Sequence, residues 1–418
     1  MKIILRVILE SFRQAQQQLR ANKLRTFLSL LGVTIGIFCI IGVQSSVDSL
    51  QDNVMSSLDK LGDDIIYISK MPWAEDPNRN FWKYRRRPSP NYKDYEAIRR
   101  KVKSAGLVNY NQFIGVRTAK WRSNSVERVY VAANTYDFFE IFNVELESGR
   151  YLTPAEYHRG DNKVLIGYDV AEQLYGNIDP IGKKFKLSGR DMEVIGVVKK
   201  SGKDVLKIMN FDPAICVSYE LAKRIANVRN VFAWGAGINV KVAEGYDVEE
   251  LKGELTGVLR AQRRLKPKED NNFALNTQSI LAGLLDQLFG VLNLAGMAIG
   301  IFAIIVGMVS VANIMFVSVK ERTNIIGIKK ALGAKRSVIL LEFLVESIIL
   351  CILGGVIGLG FVYLLFTGLK DSMPFEIYLD WGNVIFGVGL SVVVGVISGF
   401  IPAFRAAHMD PVVAIRSN

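Results

Sequence analysis

The residues of this chain that could make or break bonds are few, and their spacing assigns them no reaction. His158 and His408 stand far apart, and no His, Cys, Asp or Glu grouping falls at metal-ligand spacing. Cys39 and Cys351 lie in apolar stretches and Cys216 is alone in the polar part, so a disulfide framework is not expected. Residues 196–204, GVVKKSGKD, come nearest to a phosphate-cradling loop. They hold one residue too many between the glycines and place Asp204 where a magnesium-binding hydroxyl belongs. No nucleophile elbow, zinc motif or paired carboxylates stand out, so a non-catalytic role with no directly bound cofactor or metal is expected.

The chemistry that remains is recognition. Residues 320–336, KERTNIIGIKKALGAKR, set apolar Ile325, Ile326, Ile328 and Leu332 beside basic Lys329, Lys330, Lys335 and Arg336. Gly333 predicts the end of a short helix. A turn between two helices needs only a few residues, and this connector is larger. An amphipathic helix of this kind docks its apolar stripe in a groove of a partner.

The elements that must position the connector are apolar. The chain has 418 residues, formal net charge +12 and 50% hydrophobic residues, with a mean hydropathy of +0.21. Four stretches carry no charge: 27–47, 287–319, 347–369 and 381–404. Each reaches the roughly 20 residues a helix needs to cross a bilayer core. Basic residues crowd before the first stretch (Lys2, Arg6, Arg13, Arg20, Lys23, Arg25) and in the connector, while Asp371, Glu376 and Asp380 lie between the last two stretches. The excess of Lys and Arg on the cytosolic side therefore puts both termini and the connector in the cytosol.

The expected organisation is a cytosolic amphipathic helix over 1–26 and transmembrane helix 1 over 27–47. An extracytoplasmic α/β domain with stalk helices follows over 48–279, and a stalk with transmembrane helix 2 over 280–319. The cytosolic connector spans 320–336, transmembrane helix 3 spans 337–370 and an external loop 371–380. Transmembrane helix 4 spans 381–404 and a cytosolic tail 405–418. The N-terminal helix lies on the inner leaflet or packs on its own bundle. Strands are expected at 65–69, 126–133, 163–167, 183–187, 192–198, 214–218 and 237–242, and helices at 91–102 and 248–264, in two subdomains.

Smaller signals remain open. The segment KYRRR (83–87) lies in a Pro- and Asn-rich loop and reads as a contact for anionic lipid or as a solvated loop. Its external position excludes nucleic acid. Gly32 and Gly36, Gly296 and Gly300, Gly354 and Gly358, and Gly395 and Gly399 have the spacing that lets membrane helices approach closely, within one bundle or in a dimer. Glu342 and Glu346 either face the lysines of the connector or reach the interface.

Four segments carry a family resemblance: LRTFLSLLGVTIGI (24–37), GRYLTPAEYHRGDNKVLIGYDVAEQLYGNIDPIGKKFKL (149–187), NIMFVSVKERTNIIGIKKALGAKR (313–336) and SGFIPAFRAAHMDPVVAIR (398–416). In order and spacing the chain resembles the MacB-type ABC transporter permeases, a superfamily that includes FtsX and LolC/LolE. The resemblance implies Porter-like and Sabre-like external subdomains and a second permease copy or paralogue paired through the first two spans, where Gly32, Gly36, Gly296 and Gly300 would pack. It implies that Lys320, Glu321, Arg322, Ile325, Gly327, Ile328, Lys329, Ala331, Leu332, Gly333 and Ala334 form a coupling helix on a cytosolic ABC ATPase subunit. That subunit would bind ATP and Mg, since no ATPase domain precedes the first span here. Asn324 stands where many relatives carry an acid before the IGI. The implied function is mechanotransmission in efflux or extrusion from a bacterial inner membrane, with a periplasmic adaptor and a TolC-like outer-membrane duct. FtsX-like signalling to cell-wall hydrolases and lipoprotein release are the alternatives.

Overall fold

The computed structural model describes residues 23–76, 80–202, 210–228, 235–373 and 375–416. The amphipathic segment expected over 1–26 lies, apart from its last four residues, outside them. In chain order the elements are α1 (Lys23–Asp59), β1 (Ile65–Ser69), α2 (Phe81–Arg85), α3 (Tyr92–Lys101), β2 (Ala105–Trp121), β3 (Asn124–Asn134) and α4 (Phe138–Ile141). Then come β4 (Leu146–Gly149), α5 (Pro154–Arg159), β5 (Lys163–Ile166), α6 (Tyr168–Tyr175), β6 (Lys184–Leu187), β7 (Arg190–Val198), β8 (Ala214–Ser218) and α7 (Tyr219–Ile225). The remainder are β9 (Ala236–Val242), α8 (Val248–Gln262), β10 (Ala274–Asn276), α9 (Gln278–Glu321), α10 (Thr323–Ala331), α11 (Arg336–Leu369), α12 (Trp381–His408) and α13 (Pro411–Arg416).

Contacts divide the chain into two units, Met1–Asn53 with Gln287–Asn418, and Val54–Asp286. The sequence places the domain boundaries at 48 and 279, where the apolar runs stop. Helix α1 continues past that point to Asp59, so contacts change later than composition does.

The first unit contains the four helices long and apolar enough to span a bilayer. Small residues set their spacing. A Cβ on Gly36 would meet the Ala303 carbonyl at 3.3 Å, and one on Gly32 would meet the Gly307 Cα at 3.3 Å. Gly300 faces Ile40 and Gly296 faces Val43, so all four glycines singled out in the sequence lie where α1 meets α9 within one chain. The pair Gly354 and Gly358 meets α1 at Val33 and at the Thr34 carbonyl, and Gly395 and Gly399 meet α11 at Ile348 and Ser347. Polar contacts add to this packing. The Thr34 hydroxyl donates to the Gly354 carbonyl at 3.1 Å, and that of Ser347 donates to the Gly395 carbonyl at 2.9 Å. Helix α12 runs through Pro402 to His408, four residues beyond its charge-free stretch.

The second unit is α/β, and its strands form one mixed sheet in the order β10-β1-β9-β2-β3-β8-β5-β7-β4. Strand β6 pairs with both β2 and β7, so β2, β3, β8, β5, β7 and β6 make a closed circuit. Closure covers the edges of the circuit's own strands and leaves β10 and β4 as the edges of the sheet. Strands β9, β1 and β10 extend the sheet beyond the circuit. One continuous core from Ile66 to Phe273 runs through the circuit and its extension.

Strand β2, the longest in the domain, is not legible in the sequence. Its register slips between Phe113 and Gly115 and again between Arg117 and Ala119, which breaks the alternation that marks a strand. The KYRRR segment is partly helical, not a loop: α2 forms because Tyr84 is buried and its hydroxyl donates to Glu75. Trp82 and Arg85 stay exposed.

A candidate coupling face

Helix α9 ends at Glu321, and Arg322 leaves helical geometry with φ −104° and ψ 12°. The Thr323 hydroxyl donates to the carbonyls of Val319 (3.1 Å) and Lys320 (2.9 Å), which turns the chain into α10. At the far end the Gly333 N–H donates to the Lys330 carbonyl at 3.0 Å with φ +93°, a left-handed conformation that favours glycine. The helix is therefore short because both ends are built to stop it.

Within α10 the apolar residues divide. Ile326 is buried in the bundle core, whereas Ile325, Ile328 and Leu332 point outward, Leu332 being 84% exposed. Their spacing of three and four puts them on one stripe. Lys320, Glu321, Ala331 and Gly333 are also exposed, and Ala334 is half-buried against the core. Gly327 faces the other way: a Cβ there would lie 2.9 Å from the Ala414 Cβ and 3.0 Å from the Ile415 Cγ1. Only glycine lets α13 sit this close. Val412, Val413 and Ile415 of α13 are exposed too, so the outward apolar face is made by two helices. Sequence reasoning missed α13, although its V-V-x-I run beside a proline was the available signal.

The cations fix the face to the spans. The Lys329 ammonium donates to Glu342 Oε1 at 2.7 Å, and Arg322 Nη1 lies 3.5 Å from Glu346 Oε2. The two glutamates therefore face the basic connector. Lys330 donates to the carbonyls of Ala407 (3.1 Å) and Met409, which are otherwise open at the end of α12. Arg405 lies over the Phe316 ring, 5.2 Å from its centre. Three residues of the connector, Arg322, Lys329 and Lys330, thus hold two neighbouring helices, α11 and α12. Among the described residues no group of three or more His, Cys, Asp or Glu is arranged to hold a metal ion.

Four bilayer-length helices, a basic connector between the second and third, and a large α/β domain define a membrane permease with an external domain. A family model described as MacB-like periplasmic core domain matches residues 26–258, more than half of the chain, and an FtsX-like permease C-terminal model matches residues 297–411. The chain belongs to the MacB-like, FtsX-like family of ABC transporter permeases and is a membrane protein. The macrolide export ATP-binding/permease protein MacB of Neisseria meningitidis is 28% identical over 416 residues, covering 97% of this chain and 60% of its own. This chain thus spans 60% of the length of that relative. The ABC transporter permease YknZ of Bacillus subtilis is 28% identical over 415 residues, covering 98% of this chain and 99% of its own. The periplasmic region of MacB from Actinobacillus actinomycetemcomitans superposes with a TM-score of 0.44 at 14% identity, over 56% of this chain and 97% of its own.

Proposed function

We propose that this chain couples ATP hydrolysis on a separate cytosolic ATPase to movement of its external domain, driving efflux or extrusion of a substrate. The observation that carries this reading is the outward stripe Ile325, Ile328 and Leu332 beside exposed Val412 and Val413, outside the apolar spans. Contiguous apolar surface set among fixed cations is suited to cover by a protein groove. The stripe is mounted stiffly. A push on α10 would reach α11 through Lys329 and Arg322, and α12 through Lys330, before any loop could absorb it.

In this reading the partner binds ATP and Mg, and the permease supplies no nucleotide chemistry. The match over nearly its whole length to YknZ, an ABC transporter permease by description, supports the permease part of this reading. The chain would sit in a bacterial inner membrane with both termini cytosolic, paired with a second copy or a paralogue, and contact lipid along its spans. In a double-membraned cell a periplasmic adaptor and a TolC-like duct would complete the path.

The test is Leu332→Asp, a change at an exposed position that leaves the fold intact. It should weaken binding of the co-purified ATPase about 30-fold, the loss expected of an interface anchor worth about 2 kcal/mol, with membrane insertion unchanged. Undiminished binding and ATPase stimulation would remove α10 from the coupling role. The FtsX-like match over residues 297–411 keeps signalling to cell-wall hydrolases as a second reading. Drug or peptide hypersensitivity on deletion favours extrusion; chained cells favour signalling.

A further inference from the structure

The external domain contains a cavity that the coupling mechanism does not use. It opens beside Asn134 and Ser218, which pair at the carboxyl ends of the parallel strands β3 and β8, and has a volume of about 300 Å³. Tyr136, Phe139, Tyr151 and Leu152 line it, together with Asn134 and Tyr157. The Phe139 and Tyr151 rings lie 5.3 Å apart, and Tyr136 meets Tyr157 edge-on at 6.0 Å. Tyr136 and Tyr151 are both exposed, at 43% and 41%.

Two polar groups in this lining are unusual. The amide nitrogen of Asn134 and the hydroxyl of Tyr157 are buried without a hydrogen-bond partner among the described residues. Burying such groups unpaired is unfavourable, and an unpaired one in a native fold calls for a reason. The Asn134 amide nitrogen can only donate. Burial holds the Tyr157 phenol far above its ordinary range, so it keeps its proton and can donate as well. The exposed carboxylate of Glu140 shares the lining and disfavours an anion.

We propose that this cavity binds a small molecule carrying an aryl ring and a neutral carbonyl. The ring lies among the aromatic walls, and the carbonyl oxygen, with its two lone pairs, accepts from Asn134 and Tyr157. Both donors belong to lining residues and are closed to solvent, so the guest gains them by displacing neighbouring side chains such as the exposed Tyr136 ring. A volume of about 300 Å³ is at the lower end of the range for small-molecule sites, which suits a single substituted ring. The proposal rests on the external domain alone and does not depend on the coupling role of α10.

The probe is 4-fluorobenzamide, followed by ¹⁹F NMR against the full chain in nanodiscs, with empty nanodiscs as the blank. A fragment of this size should bind saturably with a Kd of about 1 mM. Tyr157→Phe, which keeps the ring and removes the hydroxyl, should raise Kd about tenfold. Leu152→Trp should fill the cavity and abolish the saturable signal, and Trp82→Ala, outside the cavity, should leave it unchanged. If Leu152→Trp loses the wild-type unfolding transition, Tyr157→Phe decides alone. Absence of saturable broadening above the blank, or a Kd that does not rise in Tyr157→Phe, would overturn the proposal.

Discussion

At the scale of single residues, the external motif of 149–187 is chiefly a packing device. Glu156 is buried and accepts two hydrogen bonds from Arg150, both at 2.7 Å, one from Lys163 at 2.6 Å and one from the Thr153 N–H at 2.9 Å. The last closes a capping box that starts α5 at Thr153-Pro154. The Arg150 guanidinium above all holds the Glu156 carboxyl well below the usual carboxylate range. A carboxyl with a lowered folded pKa stabilises above its unfolded pKa of about 4.3 and loses that contribution as pH falls below it. Glu156→Gln should therefore melt lower than wild type at neutral pH, and the gap should narrow between about pH 5 and about pH 3 in a thermal scan. A second buried pair behaves differently. Arg263 and Asp94, 2.7 Å apart and both almost fully buried, join α8 to the start of α3. Asp94→Ala should cost about 3–5 kcal/mol, because it leaves a guanidinium uncompensated inside the domain, and the unfolding midpoint would report it. The sequence shows Thr-Pro-x-Glu as a cap, but no spacing rule links Asp94 to a partner 169 positions away.

At the scale of elements, legibility follows from how each element is stabilised. The four spans are plain in the sequence because lipid demands a long charge-free run whatever the packing. Helix α3 is plain because Asn91 and Asp94 cap each other. Strand β2 is hidden by its register slips, and α13 by its shortness. The glycine pairs are visible as spacing, but which helix each one meets is settled only in three dimensions. The α1–α9 contact leads to a comparison between a glycine inside it and one outside it. Gly36→Leu would set a side chain against the backbone of Ala303 and Ile304, whereas Gly290 has open space around it. We expect Gly36→Leu to cost about 1–3 kcal/mol and Gly290→Leu less than about 0.5 kcal/mol, measured as urea midpoints in mixed micelles. Gly327→Leu should release α13 from α10, giving faster proteolysis after residue 409 with the external domain still protected.

At the scale of the whole molecule, orientation across the bilayer can be read with thiols. The native cysteines are poor targets: Cys216 and Cys351 are buried, Cys39 is half-buried, and burial pushes the Cys216 thiol up to about 12. Introduced cysteines at exposed positions should therefore dominate labelling. In spheroplasts an impermeant maleimide should label Trp82→Cys directly and Leu332→Cys only after permeabilisation. The reverse pattern would invert the orientation argued from Lys and Arg. The sequence conveyed the four spans well, since apolar length is a property of composition. It conveyed less of the outward face, which needs α10 and α13 side by side. The α1–α9 contact has a further consequence, a kinetic one. Where Gly36 meets the Ala303 carbonyl and Gly307 meets that of Gly32, no side chain lies between to act as a cushion. Such a seam works as a bearing: rolling about it is cheap, but sliding along it drives a Cβ into backbone until the next small residue arrives. Axial travel would then come in jumps of about one helical turn, 5.4 Å. Single-molecule traces of α1 against α9 should dwell at discrete levels and not drift between them.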